Sequence, residues 1–225
     1  MIPVEYEQTD SRWRDIPYTI TGVKNQTIGI SGCGPTAAAM VVATLRDKSV
    51  TPKEACAWAV DHGYRTKNDG TYWGFFSVYL SKFNIKCTQI TNSADAIAAL
   101  KKGKMVITTV GKSIWTSGGH FFLAYGLSGN KVKIHDPNSE APHRELAQLS
   151  QYQAAFRQGW IIEEEWDVEK KNLEIYNLDT KNKIAVEAIY MDGTNYIKLR
   201  DCEKLFPCAV GWNGKEPTVK LNYKE

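Results

Sequence analysis

Cys33 stands between two glycines at the head of an apolar run, Gly34-Pro35-Thr36-Ala37-Ala38-Ala39-Met40-Val41-Val42-Ala43, so a loop becomes a helix at a thiol. The unpaired amides of a first helical turn and the positive end of the helix dipole favour thiolate over thiol. They can bring a cysteine pKa of about 8.5 down by one to several units. Pro35 suits a first-turn position because its missing N–H is not needed there. The thiolate is the nucleophilic form, and the chemistry open to it is attack on an acyl carbon. A cysteine at a helix start can also be a small buried hydrophobe. What separates the two readings is a base for the proton and a group to orient that base.

His120 is the best candidate for the base. It follows Gly118-Gly119, which leave its approach uncrowded, and it opens the strand His120-Phe121-Phe122-Leu123-Ala124-Tyr125-Gly126. A turn at Ser128-Gly129-Asn130 sends the chain back as Lys131-Val132-Lys133-Ile134-His135-Asp136. In an antiparallel pair closed at that turn, His120 falls opposite a position close to 137, so Asp136 is its lattice neighbour and can accept its second ring N–H. The other histidines fit less well. His62 ends a helix before Gly63, His135 faces away from Asp136 on its strand, and His143 follows Pro142 in a polar loop.

These residues need a scaffold, and the chain order supplies one. Residues 3–30 form an irregular arm with Trp13 and Tyr18. A helix over 34–46 presents Ala38, Val41, Val42 and Leu45 at helical spacing. Thr51-Pro52-Lys53-Glu54 announces a second helix with N-cap, first-turn proline and capping-box glutamate; it stops at Gly63 and packs Cys56 inward. An aromatic third helix follows over 72–80, expected mostly in the core with some rings free to line a cleft. Ile85–Ile90 is expected as a strand, Ala94–Lys101 as a helix and Met105–Val110 as a buried strand. Helices first and antiparallel strands after them predict an α+β fold.

Past Ile162 the composition changes. Glu163-Glu164-Glu165 and the lysine-rich stretch to Lys171 are expected as a solvated linker between a domain at 1–165 and a small β-rich one at 172–225. The second carries a hairpin through Met191-Asp192-Gly193-Thr194, a short helix around Cys202–Phe206, and two strands flanking Asn213-Gly214. A net charge of +3 with scattered lysines gives no argument for nucleic acid, although it suits an anionic polymer. Five cysteines without a C-x-x-C pair point away from a disulfide framework and from zinc, and no cofactor is implied. The first residues have no basic and apolar leader, and no run approaches the ~20 apolar residues of a membrane span, so synthesis in the cytoplasm is expected.

The order Tyr6-x-Gln8-x-Asp10-x-x-Trp13, Gly32-Cys33-Gly34-Pro35-Thr36-Ala37, Gly118-Gly119-His120-Phe121 and His135-Asp136-Pro137 resembles the papain-like cysteine peptidases of the bacteriocin-processing peptidase-like branch. The resemblance covers residues 3–162. It implies a papain-like fold in which helices pack on an antiparallel sheet, with Cys33 as nucleophile, His120 as base, Asp136 as its orienting group and Gln8 as oxyanion donor. An arm of more than twenty residues separates Gln8 from Cys33, which leaves Gln26 as a nearer rival; Asp10 and Trp13 are expected to be structural. The C-terminal segment is similar to the stalk-type domain resembling the N-terminal domain of copper amine oxidases, and has no histidine with which to hold copper. The expected activity is cleavage of amide bonds in peptidoglycan, as in a phage endolysin acting at a Gram-positive cell wall. The alternatives are a protein-processing peptidase acting on leader or host polypeptides, and a non-catalytic binding module.

Overall fold

In a computed structural model, residues 2–67, 70–138 and 142–164 are described, together with the strand backbones 169–176, 183–191, 194–197, 208–212 and 217–221. The contacts divide the chain into a unit spanning Ile2–Trp166 and a smaller one spanning Asp167–Glu225.

The apolar run after Cys33 does form a helix. A single turn, α1 (Ile28–Ser31), is followed by Gly32 and then α2 (Cys33–Leu45). The expected stripe is too narrow a description: every residue from Gly34 to Ala43 is buried. Small and β-branched side chains on all sides let α2 sit inside the protein, between α3 (Pro52–Asp61) and the sheet. α3 begins at the expected capping box of Thr51 and Glu54 and ends where Gly63 turns at φ +75°. The aromatic helix α4 (Phe75–Ser81) starts three residues later than expected. Thr71 is taken up in a β-bridge with Arg65, which leaves Tyr72 and Trp73 exposed outside the helix. Phe75, Phe76 and Tyr79 enter the core, and Phe76 packs 4.2 Å from the Trp160 ring.

Six strands build one antiparallel sheet: β1 (Cys87–Ile90), β2 (Val106–Val110), β3 (His120–Ser128), β4 (Lys131–His135), β5 (Leu146–Gln148) and β6 (Phe156–Ile162). Their spatial order is β1-β6-β2-β3-β4-β5. β6 thus enters between two earlier strands. Helices α2, α3 and α4 cover one face with a core that includes Met40, Leu123 and Trp160. On the other, α5 (Ser93–Lys101) and α7 (Leu149–Ala155) cover Phe122, Ala124 and Ile134. Between β4 and β5 lies the short α6 (Pro142–Glu145). Both faces are apolar because both are covered, which is why β2 reads as an unbroken buried run rather than an alternating one. Among the described residues no helix is long and apolar enough to cross a membrane.

In the smaller unit β7 (Glu169–Tyr176), β8 (Lys183–Met191) and β9 (Thr194–Ile197) form a three-stranded antiparallel sheet. β10 (Cys208–Trp212) pairs with β11 (Pro217–Leu221). The linker reading is corrected at both ends. Glu169–Lys171 are the first residues of β7, and Glu163 and Glu164, still partly in solvent, pair with Lys104 and Arg46. The expected helix at Cys202–Phe206 lies outside the described residues.

Candidate active site

Cys33 is the first residue of α2 and is half-buried, so its sulfur sits where the first-turn amides and the helix dipole act on it. Gly32 holds it there. A Cβ on Gly32 would lie 2.6 Å from the Ile28 carbonyl oxygen and 3.1 Å from its Cα. The requirement is the close approach of Gly32 to Ile28 at the start of α1, since the backbone of Gly32, at φ −84°, is open to any residue. Gly32→Ala is therefore expected to destabilise the protein by about 1–3 kcal/mol. In a domain of this size that lowers Tm by about 2–4 °C per kcal/mol, readable by thermal unfolding.

His120 opens β3 and is buried at 6% exposure. Its Nε2–H donates to Asp136 Oδ1 at 2.6 Å, which leaves Nδ1 for Cys33, with which the ring shares a further hydrogen bond. Burial alone would lower the imidazole pKa. The Asp136 carboxylate and the Cys33 sulfur outweigh it and hold the ring up at about 9. Burial likewise pushes Asp136 up, yet its bonds to His120 and to the Asn138 N–H, with the nearby Arg144 charge, keep it below its ordinary 3.8. The pair is thus held as imidazolium and carboxylate across the neutral range.

Asp136 reaches His120 because of a β-bulge. Ser128 faces Lys131 beside the turn, and with that register continued Leu123 would face Asp136, turning the carboxylate to the side away from His120. Between Ala124 and Gly126 the register slips by one, so that His135 faces Leu123 instead. Asp136 then falls on the face of His120, Phe122 and Ala124. With the slip the ladder, continued, sets His120 opposite Asn138, one position past the expected 137; without it the partner would be 139.

Sequence reasoning missed Arg144. Its Nη1 donates to Asp136 Oδ2 at 2.7 Å and its Nη2 to the Trp115 carbonyl at 2.9 Å. Trp115 in turn donates Nε1–H to the His143 carbonyl at 3.2 Å. A lone arginine in a polar loop carries no sequence signal for this clamp.

Gln8 is buried and lines the same cleft as Cys33 and His120. The long arm delivers it by folding back, with Pro17 bridged to Thr27 and Trp13 sunk in the core. The Gln8 N–H donates to the Pro137 carbonyl at 2.7 Å, one residue beyond Asp136. Its side-chain Nε2 donates to the Gly29 carbonyl at 2.8 Å, which fixes the amide, since only the NH2 can face a carbonyl oxygen. Gln26 is spent elsewhere, its Oε1 accepting from Thr19 and its carbonyl from the Tyr18 N–H, and it does not line the cleft. The structure brings Cys33, His120, Asp136 and Gln8 together and leaves Gln26 out. Asp10 pairs with Arg12 at 2.7 Å. Two of the other histidines are engaged away from the thiol: His62 stacks on Trp58 and His135 on Tyr125.

The cleft holds about 480 Å³. Ile30 and Trp73 form one side; Thr109, Val110, Gly111 and Arg157 form the sheet side. Trp73 is the cleft-lining ring of the aromatic segment.

A helix that opens on a cysteine, packed on an antiparallel sheet whose strand opens on a histidine, defines the papain-like cysteine peptidases. Within that class the chain belongs to the Peptidase_C39 like family, which matches residues 9–163. Among solved structures the chain is similar to a C39-like peptidase from Bacillus anthracis, at 13% identity and a TM-score of 0.45, over 60% of this chain and 90% of that one. It is also similar to the peptidase domain of Streptococcus ComA, a bi-functional ABC transporter involved in a quorum sensing pathway. There the identity is 17% and the TM-score 0.42, over 60% of this chain and 93% of that one. No curated protein matches the chain.

Proposed function

We propose that Cys33, His120 and Asp136 form the catalytic triad of an amidohydrolase and that Gln8 completes its oxyanion hole. The observation that carries this is one buried imidazole bonded on one side to Asp136 and on the other to Cys33. The Cys33 thiolate attacks the amide carbon, and the carbonyl electron pair moves onto oxygen. The second Nε2–H of Gln8 and the Cys33 N–H at the head of α2 are the proposed donors to that oxyanion. His120 gives its Nδ1 proton to the leaving nitrogen as the C–N bond breaks, and a thioester remains on Cys33. Water then attacks the thioester with His120 taking its proton, and the thiolate leaves again.

The substrate proposed is the peptide part of peptidoglycan, with action at the cell wall in the manner of a phage endolysin. A mildly basic chain facing an anionic wall supports it, as does a small β-rich unit that follows the peptidase in sequence, for which the stalk-type resemblance makes wall attachment the proposed role. Zymography on purified Gram-positive walls, with Cys33→Ala as the blank, tests the reading. Clearing by the intact protein alone supports it. Cleavage of a polypeptide such as casein without clearing of walls replaces it with a protein-processing role. Identical behaviour of the two proteins overturns catalysis by Cys33.

A further inference from the structure

We infer that Arg157 is a specificity residue that binds a carboxylate of the substrate, so that the preferred substrate carries an acidic group within a few residues of the scissile bond. The inference rests on Cys33 and His120 being the reacting pair. Three observations carry it. First, the β2–β6 ladder pairs Thr109 with Gln158 but Val110 with Phe156, so Arg157 is the extra residue of a β-bulge. Bulges beside active sites re-aim a side chain that a regular ladder would send elsewhere. Second, the guanidinium lies over Gly111, where a Cβ would meet Nε at 2.7 Å, Nη2 at 2.9 Å and Cζ at 3.0 Å. A residue without a side chain there makes room for the cation in the cleft wall. Third, Nη1 donates to the neighbouring Phe156 carbonyl at 3.2 Å, and no carboxylate among the described residues pairs with the group. No acidic side chain among the described residues lines the cleft. A planar fork with open donors beside a reacting thiolate is suited to a carboxylate.

The register sets the distance. His120, Val110 and Phe156 lie side by side on three adjacent strands. Strands are about 4.8 Å apart, so the Arg157 backbone is about 10 Å from that of His120. From there the side chain turns back over Gly111, one residue past the Val110 that pairs with His120, so the bound carboxylate lies within a few residues of the carbonyl under attack.

The test uses the full chain, Arg157→Gln and Gly111→Ala, which keeps the charge but pushes it aside. The substrate is whichever of cell wall or casein the enzyme cleaves, native or with its carboxyl groups converted to methylamides by carbodiimide. The wild type is expected to lose about 10- to 100-fold in kcat/KM on the amidated substrate. Arg157→Gln is expected to show that loss already on the native substrate and no further loss on amidation, with Gly111→Ala between the two. A second readout needs no turnover: the ratio of Cys33 alkylation rates by iodoacetate and iodoacetamide is expected to fall several-fold in Arg157→Gln. Wild-type rates indifferent to amidation overturn the inference. Should neither substrate be cleaved, the proposed function fails, and an alkylation ratio unchanged by Arg157→Gln then overturns the carboxylate site on its own.

Discussion

Cys33→Ala is expected to lower kcat/KM on the order of 10^5-fold or more while leaving the fold intact. The loss is large because no other group among the described residues can take the sulfur's place. His120 then has no nucleophile to activate, and triad members fail as a unit rather than in proportion. The fold should survive because Cys33 is half-buried and begins a helix that alanine favours. Labelling provides the complementary check. Iodoacetamide reacts with thiolate, and Cys33 stands half-buried at the helix head with His120 bonded to it. Burial holds the Cys56 thiol well above its ordinary pKa, and burial also raises half-buried Cys87 despite its bond to Ser77. Among the three cysteines of the described residues the order expected by mass spectrometry is Cys33 first, then Cys87, with Cys56 reacting only on unfolding. Labelling of Cys87 ahead of Cys33, or undiminished turnover in Cys33→Ala, would show that the thiol at the helix head is not the nucleophile.

Much of this site could be read from residue order because local chemistry fixes it. Pro35 and the small apolar residues after it make α2 begin where it does, and the Thr51–Glu54 capping box does the same for α3. Gly129, at φ +55°, closes the hairpin that brings His120 and Asp136 to one end of the sheet. The parts that stayed hidden are the ones set by long-range packing. A period-two pattern cannot count an extra residue, so neither the slip at Tyr125 nor the bulge at Arg157 has a sequence signature. The first decides which face Asp136 occupies, and the second aims a cation at the cleft. The same bulge breaks the alternation along Phe156–Ile162 and hides β6 as a strand. Gln8 is a third case: a loop of twenty residues tells nothing about where its ends meet, and only the bonds to Gly29 and Pro137 place the amide.

Asp136→Ala is expected to cost on the order of 10^3–10^4-fold in kcat/KM and to move the alkaline limb of the activity profile downward. The active pair needs His120 protonated, so activity falls as pH rises through the folded-state pKa, near 9 in the wild type. The Asp136 carboxylate is the first of the groups holding that value up; without it, burial pulls the imidazole back toward its ordinary 6.5, and the limb follows. Stability moves with it. A group whose pKa is raised on folding stabilises the protein fully below its unfolded value and loses that contribution as pH rises through the folded one. For His120 the loss falls between about 6.5 and 9. Asp136 is lowered on folding, so its contribution is present above 3.8 and disappears as the pH falls below that value. Thermal unfolding of the wild type should therefore show a plateau that declines toward both pH 9 and acid. In the variant both declines should be shallower, the remaining alkaline part owed to Cys33 and the remaining acid part to carboxylates such as Glu5 and Glu163; it should also be less stable near neutrality, because Arg144 keeps only the Trp115 carbonyl. Asp136→Asn separates the two roles of the carboxylate. Its one amide oxygen can accept from His120 or from Arg144 but not from both, so its activity should lie between those of Asp136→Ala and the wild type. An alkaline limb that stays near 9 in Asp136→Ala would mean that the carboxylate does not hold the imidazolium.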